Sequence, residues 1–358
     1  MMRNFAAATL AATFGVVGFG TVGAAYAQTA WDMPTPYPEG TFHTQNVMEF
    51  AKEIETATDG ALTITVHPAG SLYKHPEIKN SVRRGLAPIG EVLISRLSNE
   101  DPIFAADAIP FMASGYEASK ALYDATRPML EEKLAEQGLT SLYAVPWPPQ
   151  GLYTKAAIET ADDLRGVKMR AYNASLEQLS NLVGAVPTQV EVPDIPTAFA
   201  TGRVDAMITS PSTGANSKAW DFLSNYYDTQ AWLPKNMVIV NTSAFEALTD
   251  EQQQAVRDAA AAAEERGWQM SEAEATSKTQ ELADNGITVS DPSPELLQAL
   301  NEAGATMAEE WAASVGDAGQ EILDTVSMSG DAMQDASMND TSMDDTMEKS
   351  DTMESTSN

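Results

Sequence analysis

The stretch DLRGVKMRAYNASLEQLSNLVGAVPTQVEVPDIPTAFATGRVDAMI, residues 163–208, decides the fold class. Short runs rich in branched and apolar residues alternate in it with segments of helical spacing. The pattern predicts a strand over 167–171, a helix over 175–184, an extended run over 186–192, a helix over 195–202 and a strand over 204–208. Strands that alternate with helices are typical of a mostly parallel sheet covered by helices, so the chain is predicted to be an α/β protein.

The same alternation is present in the N-terminal part of the chain. It predicts strands over 31–33, 61–66 and 89–94, and helices over 41–58 and 75–85. Two α/β units in series agree with the length of 358 residues, since one domain usually has about 100–200 residues.

Two proline-containing segments separate these units. Pro146-Trp147-Pro148-Pro149 lies between the two series of elements, and Leu233-Pro234-Lys235-Asn236 marks a second crossing. We therefore predict two lobes with these boundaries: lobe I over 28–147 and 236–275, and lobe II over 148–235 and 276–325.

A long helix is predicted after the second crossing. Thr249 and Gln252 form a capping-box pattern at its start, and Asn285-Gly286 is a stop signal. Within it, Gly267 alone interrupts a run without glycine or proline. About 36 residues span roughly 54 Å at 1.5 Å per residue, which exceeds one small domain. We expect this helix to brace both lobes.

The first 27 residues are predicted to be a cleaved secretory signal. Arg3 supplies the positive start, an apolar run of small residues extends over 5–22, and Ala25-Tyr26-Ala27 fits the cleavage pattern. The alternative is an N-terminal membrane anchor, which the short, glycine- and alanine-rich run disfavours. The mature protein is then predicted to be periplasmic, with no further membrane insertion.

The C-terminal end, residues 326–358, consists mainly of Ser, Thr, Asp and Met. Met328, Met333, Met338 and Met343 recur every fifth residue, which matches neither a helix nor a strand. Such a composition cannot bury enough apolar surface to order itself, so a disordered tail is predicted. The alternative is a sink for Cu(I), which thioethers can bind.

Composition excludes several kinds of function. The formal net charge is −30, which disfavours binding to nucleic acid or anionic membrane. The chain has no cysteine and three histidines, which leaves little for a metal site. His67 and His75 have no recognised ligand spacing and are predicted to be surface or loop residues. Dinucleotide, phosphate-loop, serine-hydrolase and zinc-protease motifs are absent from the sequence, so no cofactor, metal or catalytic residue is predicted.

Arg170 is the first candidate for ligand binding. It lies near the end of the predicted strand over 167–171, and ligands of open α/β sheets bind outside the carboxyl ends of the strands. Its guanidinium matches a carboxylate with two parallel hydrogen bonds. On position alone, a structural surface ion pair is an equal alternative. Aromatic residues near strand ends or crossings either wall a pocket or pack in the core: Trp147, Tyr153, Tyr172, Trp220 and Trp232.

Several spaced motifs carry a resemblance to a known family. They are Asp163-Leu-Arg-Gly-Val-Lys-Met-Arg170, Gly184-Ala-Val-Pro-Thr188, Ala198-Phe-Ala-Thr-Gly-Arg-Val-Asp205 and Asp107-Ala-Ile-Pro-Phe111, with a further match over 58–72. Over about residues 31–311 the chain resembles the solute-binding proteins of tripartite ATP-independent periplasmic (TRAP) transporters. The resemblance implies a two-lobed periplasmic-binding-protein-like architecture with a hinge, capture of a small organic acid, and its delivery to membrane permease subunits.

The resemblance also implies site residues. Arg170 matches the arginine that typically pairs with the substrate carboxylate. Ser210, in Thr209-Ser210-Pro211, stands where many members have the asparagine of Glu-Asn-Pro, and Gln150 stands where sialic-acid-binding members carry a second arginine. One arginine predicts a monocarboxylate with an apolar or aromatic body beside Trp147 and Tyr172. The predicted ligand-binding set is completed by Asn173 and Trp232.

Two alternatives to this function stay open at this point. One is an exported enzyme that acts on a small acid with carboxylates as general acid and base, although no spaced acidic pair falls in the pocket region. The other is a binding protein that serves a sensor instead of a permease. The single-arginine prediction itself fails if Lys74, Arg96 or Lys235 also reaches the pocket.

Overall fold

The computed structural model describes residues 28–326, and its elements follow the predicted order. The strands are β1 (Thr29–Pro34), β2 (Leu62–His67), β3 (Ile89–Leu93), β4 (Leu139–Pro146), β5 (Gly151–Thr154), β6 (Lys168–Ala171), β7 (Val186–Gln189), β8 (Ala206–Thr209), β9 (Asn225–Tyr227), β10 (Lys235–Asn241) and β11 (Thr288–Ser290). The helices are α1 (Phe42–Ala57), α2 (His75–Arg83), α3 (Gly115–Ala135), α4 (Ala174–Leu182), α5 (Ile195–Ala200), α6 (Pro211–Asn216), α7 (Thr242–Glu246), α8 (Asp250–Asp284) and α9 (Pro294–Val315), with residues 317–326 forming α10.

The strands form separate sheets in two lobes. In lobe I, β1 pairs with β2, and β10 lies between β3 and β4. In lobe II, six strands have the order β11-β9-β5-β8-β6-β7. The predicted two-lobed α/β architecture is confirmed. The exact lobe boundaries stay a prediction.

Within each sheet, all strands except β10 and β5 run in the same direction, which agrees with the prediction of mostly parallel sheets. β10 runs antiparallel to both of its neighbours, and so does β5. Both strands enter their sheets directly from a crossing segment, without a preceding helix on the sheet face. They therefore start at the edge where β3, β4, β6 and β8 end, and this shared edge faces the other lobe.

The two crossing segments pair with each other and form the hinge. The backbone N–H of Trp147 donates to the carbonyl of Pro234 at 2.8 Å, and that of Gln150 donates to the carbonyl of Trp232 at 3.0 Å. In return, the N–H of Ala231 donates to the carbonyl of Gln150 at 3.0 Å. The two connections thus form a short two-chain ribbon, whose bending changes the angle between the lobes.

The long helix α8 braces both lobes, as predicted. It packs on α1 and β4 in lobe I and on α6 and β11 in lobe II. Its start is the predicted capping box: the Thr249 Oγ1 accepts from the Gln252 N–H at 3.2 Å, and the Thr249 N–H donates to the Gln252 Oε1 at 3.1 Å. Within residues 28–326, no helix is both long and apolar enough to cross a membrane.

The ends of the described range bear on two predictions. Val326, the first residue of the predicted tail, is 3% exposed and packs in the hydrophobic core, and the extent of the tail stays a prediction. Val326 lies in α10, which carries its aliphatic side chain to the core. The rest of the predicted tail and the predicted signal over 1–27 lie outside the described residues.

Candidate ligand-binding site

A cavity lies between the lobes, where strand ends of both sheets face each other. Lobe I contributes residues that follow β3 and β4, and lobe II contributes residues that follow β6, β7 and β8. Its lining comprises Tyr37, His75, Leu93, Arg96, Trp147, Gln150, Arg170, Tyr172, Glu191, Val192, Thr209, Ser210, Thr213 and Pro234. The strand-end rule therefore places the cavity where the sequence predicted it.

Arg170 is the buried cation of this cavity. β6 pairs with β7 and β8 on either side, which fixes the backbone of Arg170 opposite Thr188 and Met207. Its side chain is 1% exposed, and its Nε donates to the carbonyl of Val190 at 3.0 Å. The Nη1 finds no hydrogen-bond partner among residues 28–326. A buried donor without a partner is unfavourable, so the guanidinium is poised to bind an anion.

Burial also changes the acid–base behaviour of Arg170. Loss of solvent disfavours the charged guanidinium and lowers the pKa of Arg170 to about 10, although Tyr172 and Glu191 oppose this effect. The side chain therefore stays protonated near neutral pH. Its guanidinium carbon lies 5.1 Å from the centre of the Tyr172 ring, a cation–π distance that orients the fork. The alternative of an exposed ion pair does not fit this buried position.

Tyr172, Gln150 and Trp232 form a hydrogen-bonded chain behind the arginine. The Tyr172 hydroxyl donates to the Gln150 Oε1 at 3.1 Å and accepts from the Trp232 Nε1 at 3.2 Å. The Gln150 Nε2 donates to the carbonyl of Pro148 at 2.9 Å. Gln150 and Tyr172 line the cavity, whereas Trp232 supports them from outside its wall. These hydrogen bonds connect Tyr172, the aromatic neighbour of Arg170, to the hinge segments.

Trp147 forms an apolar wall on the lobe I side. Its ring packs against Tyr37 and His43, with ring centres 4.9 Å and 4.3 Å away. Its Nε1 donates to the Asn236 Oδ1 at 3.1 Å, and this oxygen also accepts from the Tyr37 hydroxyl at 3.0 Å. Asn236 thereby fixes two aromatic rings that face the ligand cavity.

Ser210 and Asn173 act first as helix caps. The Ser210 Oγ accepts from the N–H of Thr213 at the start of α6. Ser210 also lines the cavity. The Asn173 Oδ1 accepts from the N–H of Leu176 at the start of α4, and its Nδ2 donates to the Ser95 Oγ of the opposite lobe at 2.8 Å. Asn173 is not among the lining residues. It lies at a contact between the lobes beside the cavity.

The structure places a second arginine, Arg96, in the cavity lining, so the prediction of a single arginine was wrong. Arg96 belongs to a charged cluster that the sequence did not predict. Arg96 lines the cavity and lies 3.0 Å from a Glu191 carboxylate oxygen, and His75 lies 3.6 Å from the other oxygen. The prediction that His75 is a surface or loop residue was wrong, since its side chain is 7% exposed. Arg96 follows the end of β3, so the strand-end rule applied to Arg170 could also have identified it.

The other basic residues considered from the sequence do not line the cavity. Lys235 is buried, with its Nζ donating to the Ser119 Oγ at 2.8 Å and its backbone N–H donating to Asp107. Lys74 is exposed at the start of α2. Two aromatic residues considered from the sequence also lie outside the cavity lining. Tyr153 is in the hydrophobic core of lobe II, and Trp220 packs against this core. Within residues 28–326, no group of three or more His, Asp or Glu side chains is arranged to hold a metal ion.

The comparisons with known proteins agree with this geometry. A family model described as bacterial extracellular solute-binding protein, family 7, matches residues 35–314. The chain belongs to this family. It is also 47% identical to DctP7 of Bordetella pertussis, an extracytoplasmic solute receptor whose crystal structure is described as binding pyroglutamic acid. That match covers 83% of this chain and 99% of the receptor, with a TM-score of 0.82.

Two further proteins are also similar to this chain. A marine metagenome TRAP solute-binding protein, described as specific for pyroglutamate, is 39% identical, with a TM-score of 0.83 and coverage of 85% of this chain and 100% of that one. A solute-binding protein of Albidiferax ferrireducens is 26% identical over 49% of this chain, and the match spans about half, 52%, of that protein. The resemblance to TRAP solute-binding proteins is therefore confirmed.

Proposed function

We propose that this protein is an extracytoplasmic receptor that captures a small monocarboxylate, pyroglutamate or a close analogue, between its lobes. One observation carries the proposal: Arg170 is 1% exposed, faces the cavity, and holds a donor without a partner among residues 28–326. A ligand carboxylate would accept from this donor and neutralise the buried charge.

The net charge of the cavity supports a single carboxylate. Among the lining residues, Arg96 and Arg170 are cationic and Glu191 is anionic. Burial lowers the pKa of His75, so its imidazole is neutral near pH 7. The sum is one positive charge, and one carboxylate balances it.

Size and polarity support a compact ligand with a polar ring. The cavity is narrow, and its lining combines aromatic rings with hydroxyl and charged groups, which suits a compact ligand with polar atoms. Pyroglutamate has one carboxylate, one ring N–H and one ring carbonyl. Glu191 offers acceptor oxygens for an N–H, and the hydroxyls of Thr209 and Thr213 offer donors for a carbonyl.

The remaining parts of the proposal rest on family membership. Residues 1–27 would direct export and then be removed. The receptor would act in the periplasm and release its ligand to the membrane subunits of a TRAP transporter. It would bind without turnover, in contrast to the exported-enzyme alternative.

Thermal unfolding of the ligand-free mature chain, residues 28–358, tests the proposal. The panel is L-pyroglutamate, cyclopentanecarboxylate, glutarate and glucuronate, which vary the ring polarity, the number of carboxylates and the size. Pyroglutamate at about 1,000 times its Kd should stabilise the folded state by about 4 kcal/mol, and chromatography should recover it unchanged. A larger shift with glutarate or glucuronate, or loss of pyroglutamate to a product, would contradict the proposal.

A further inference from the structure

Glu191 occupies a position where it can set the charge that a ligand meets. It follows β7 in lobe II, lines the cavity and is 29% exposed at the side chain. Its two carboxylate oxygens face residues of lobe I: one lies 3.0 Å from the Arg96 Nη2 and the other 3.6 Å from the His75 Nδ1. Arg96 also donates through its Nη1 to the carbonyl of Tyr172 at 2.8 Å.

Hydrogen bonding defines the protonation of His75. The backbone N–H of Leu93 donates to the His75 Nε2 at 3.2 Å, so this nitrogen is the acceptor and carries no proton. The proton of the neutral ring therefore lies on Nδ1, directed at Glu191. His75 orients the carboxylate without neutralising it, and Arg96 supplies the charge that pairs with Glu191.

We propose that Glu191 is a specificity-determining residue that excludes dicarboxylates by cancelling the charge of Arg96. With Glu191 ionised, Arg170 is the one cation of the cavity lining, among residues 28–326, that lacks an anionic partner. A second ligand carboxylate would meet the Glu191 carboxylate in a small cavity with little solvent, where like charges repel strongly. The inference rests on the proposed function and identifies the residue that limits the ligand to one charge.

The test compares the dissociation constants of pyroglutamate and glutarate by calorimetry, using displacement for the weaker ligand. Glu191→Gln keeps the size and an acceptor oxygen for Arg96 but leaves two cations in the cavity. The ratio of the glutarate Kd to the pyroglutamate Kd should fall at least roughly tenfold in this variant. Glu191→Asp retains the charge and should keep the ratio within about threefold of the unmodified protein.

A matched control removes a distant charge. Glu310→Gln eliminates a carboxylate that accepts from Gln178 on the surface, and it should leave the ratio unchanged. If Glu191 only holds the lobes together, Glu191→Gln weakens both ligands equally and the ratio stays constant, which overturns the inference. Glutarate that stays undetectable in Glu191→Gln while pyroglutamate binds also overturns it. Failure of the unmodified protein to bind pyroglutamate would instead reject the proposed function.

Discussion

Arg170 shows how one residue prepares the site for its ligand. Its charge is desolvated by the surrounding lobes, and part of its donor capacity is unused within residues 28–326. The fold therefore buries a positive charge that a carboxylate would neutralise. Binding free energy arises here from relief of this desolvation penalty as well as from the new hydrogen bonds.

Arg170→Met separates binding from folding. Methionine fills much of the same space without the charge, so ligand affinity should fall at least roughly tenfold because a charge-assisted contact is lost. The melting temperature of the ligand-free variant should equal or exceed that of the unmodified protein, since the desolvated charge is gone. Calorimetry and thermal unfolding measure the two effects. Unchanged affinity for the cognate acid would remove Arg170 from the site.

Glu91 is a second buried ionisable group, located behind the aromatic wall. It is 2% exposed, and burial raises its pKa to about 7, although hydrogen bonds from Thr35 and Asn236 oppose this. The Asn236 Nδ2 donates to the Glu91 Oε1 at 2.8 Å, and the neighbouring His43 is neutral because burial lowers its pKa. Glu91 thus connects the pH of the solution to the residues that hold Trp147.

Glu91→Gln should change the pH dependence of stability. A carboxyl with a raised folded pKa stabilises the fold fully below its ordinary pKa of 4.5, and this contribution is lost as the pH rises through about 7. Glutamine has no such loss, so the variant should match the unmodified protein near pH 4.5 and exceed it at pH 8 by up to about 3 kcal/mol. Melting curves at both pH values measure this. A difference that is the same at pH 4.5 and pH 8 would contradict the assignment.

At the scale of elements, helix α8 illustrates what sequence can predict. Its capping box and stop signal predicted both ends correctly, because each signal involves residues within about four positions of the helix end. The sequence showed that Gly267 interrupts the helix, but only the tertiary packing explains why a glycine is needed at this position. A Cβ at Gly267 would lie 2.3 Å from the Val145 Cγ2 and 2.8 Å from the Asn46 Nδ2, so glycine permits the close approach of α8 to β4 and α1.

Gly267→Ala should therefore destabilise the protein, against the usual gain of about 1 kcal/mol for this change in an exposed helix. Overpacking of a tight contact costs about 1–3 kcal/mol, and here Val145 lies on a strand that cannot shift freely. The double variant with Val145→Ala should recover much of this loss in denaturant unfolding, whereas Val145→Ala alone should destabilise. A Gly267→Ala variant more stable than the unmodified protein would show that α8 can move away from β4.

Part of the candidate site could be predicted from the sequence, and there is a physical reason why the other part could not. Arg170, Gln150, Ser210, Trp147 and Tyr172 all line the cavity, because strand ends and family motifs are readable along the chain. The contact between Arg96 and Glu191 joins residues far apart in sequence and in different lobes, and no local pattern encodes it. The antiparallel β5 and β10 were missed for the same reason, since their direction depends on how the chain crosses the hinge.

At the scale of the whole molecule, two lobes meet on a cavity whose lining carries one uncompensated positive charge. The hinge ribbon and α8 connect the lobes, and charged residues of both lobes line the cavity. In the proposed function, closure on a ligand depends on charge balance, since one carboxylate would neutralise the charge of Arg170. A receptor built in this way should distinguish ligands by their number of charges before it distinguishes their shapes.

The most direct test of this account is a calorimetric titration of the ligand-free mature chain with L-pyroglutamate and, separately, with glutarate. We expect saturable one-to-one binding of pyroglutamate and a glutarate Kd at least roughly a hundredfold larger, since a second carboxylate would be buried without a matching cation. Equal affinities, or tighter binding of glutarate, would contradict the central claim that the cavity holds a single uncompensated charge.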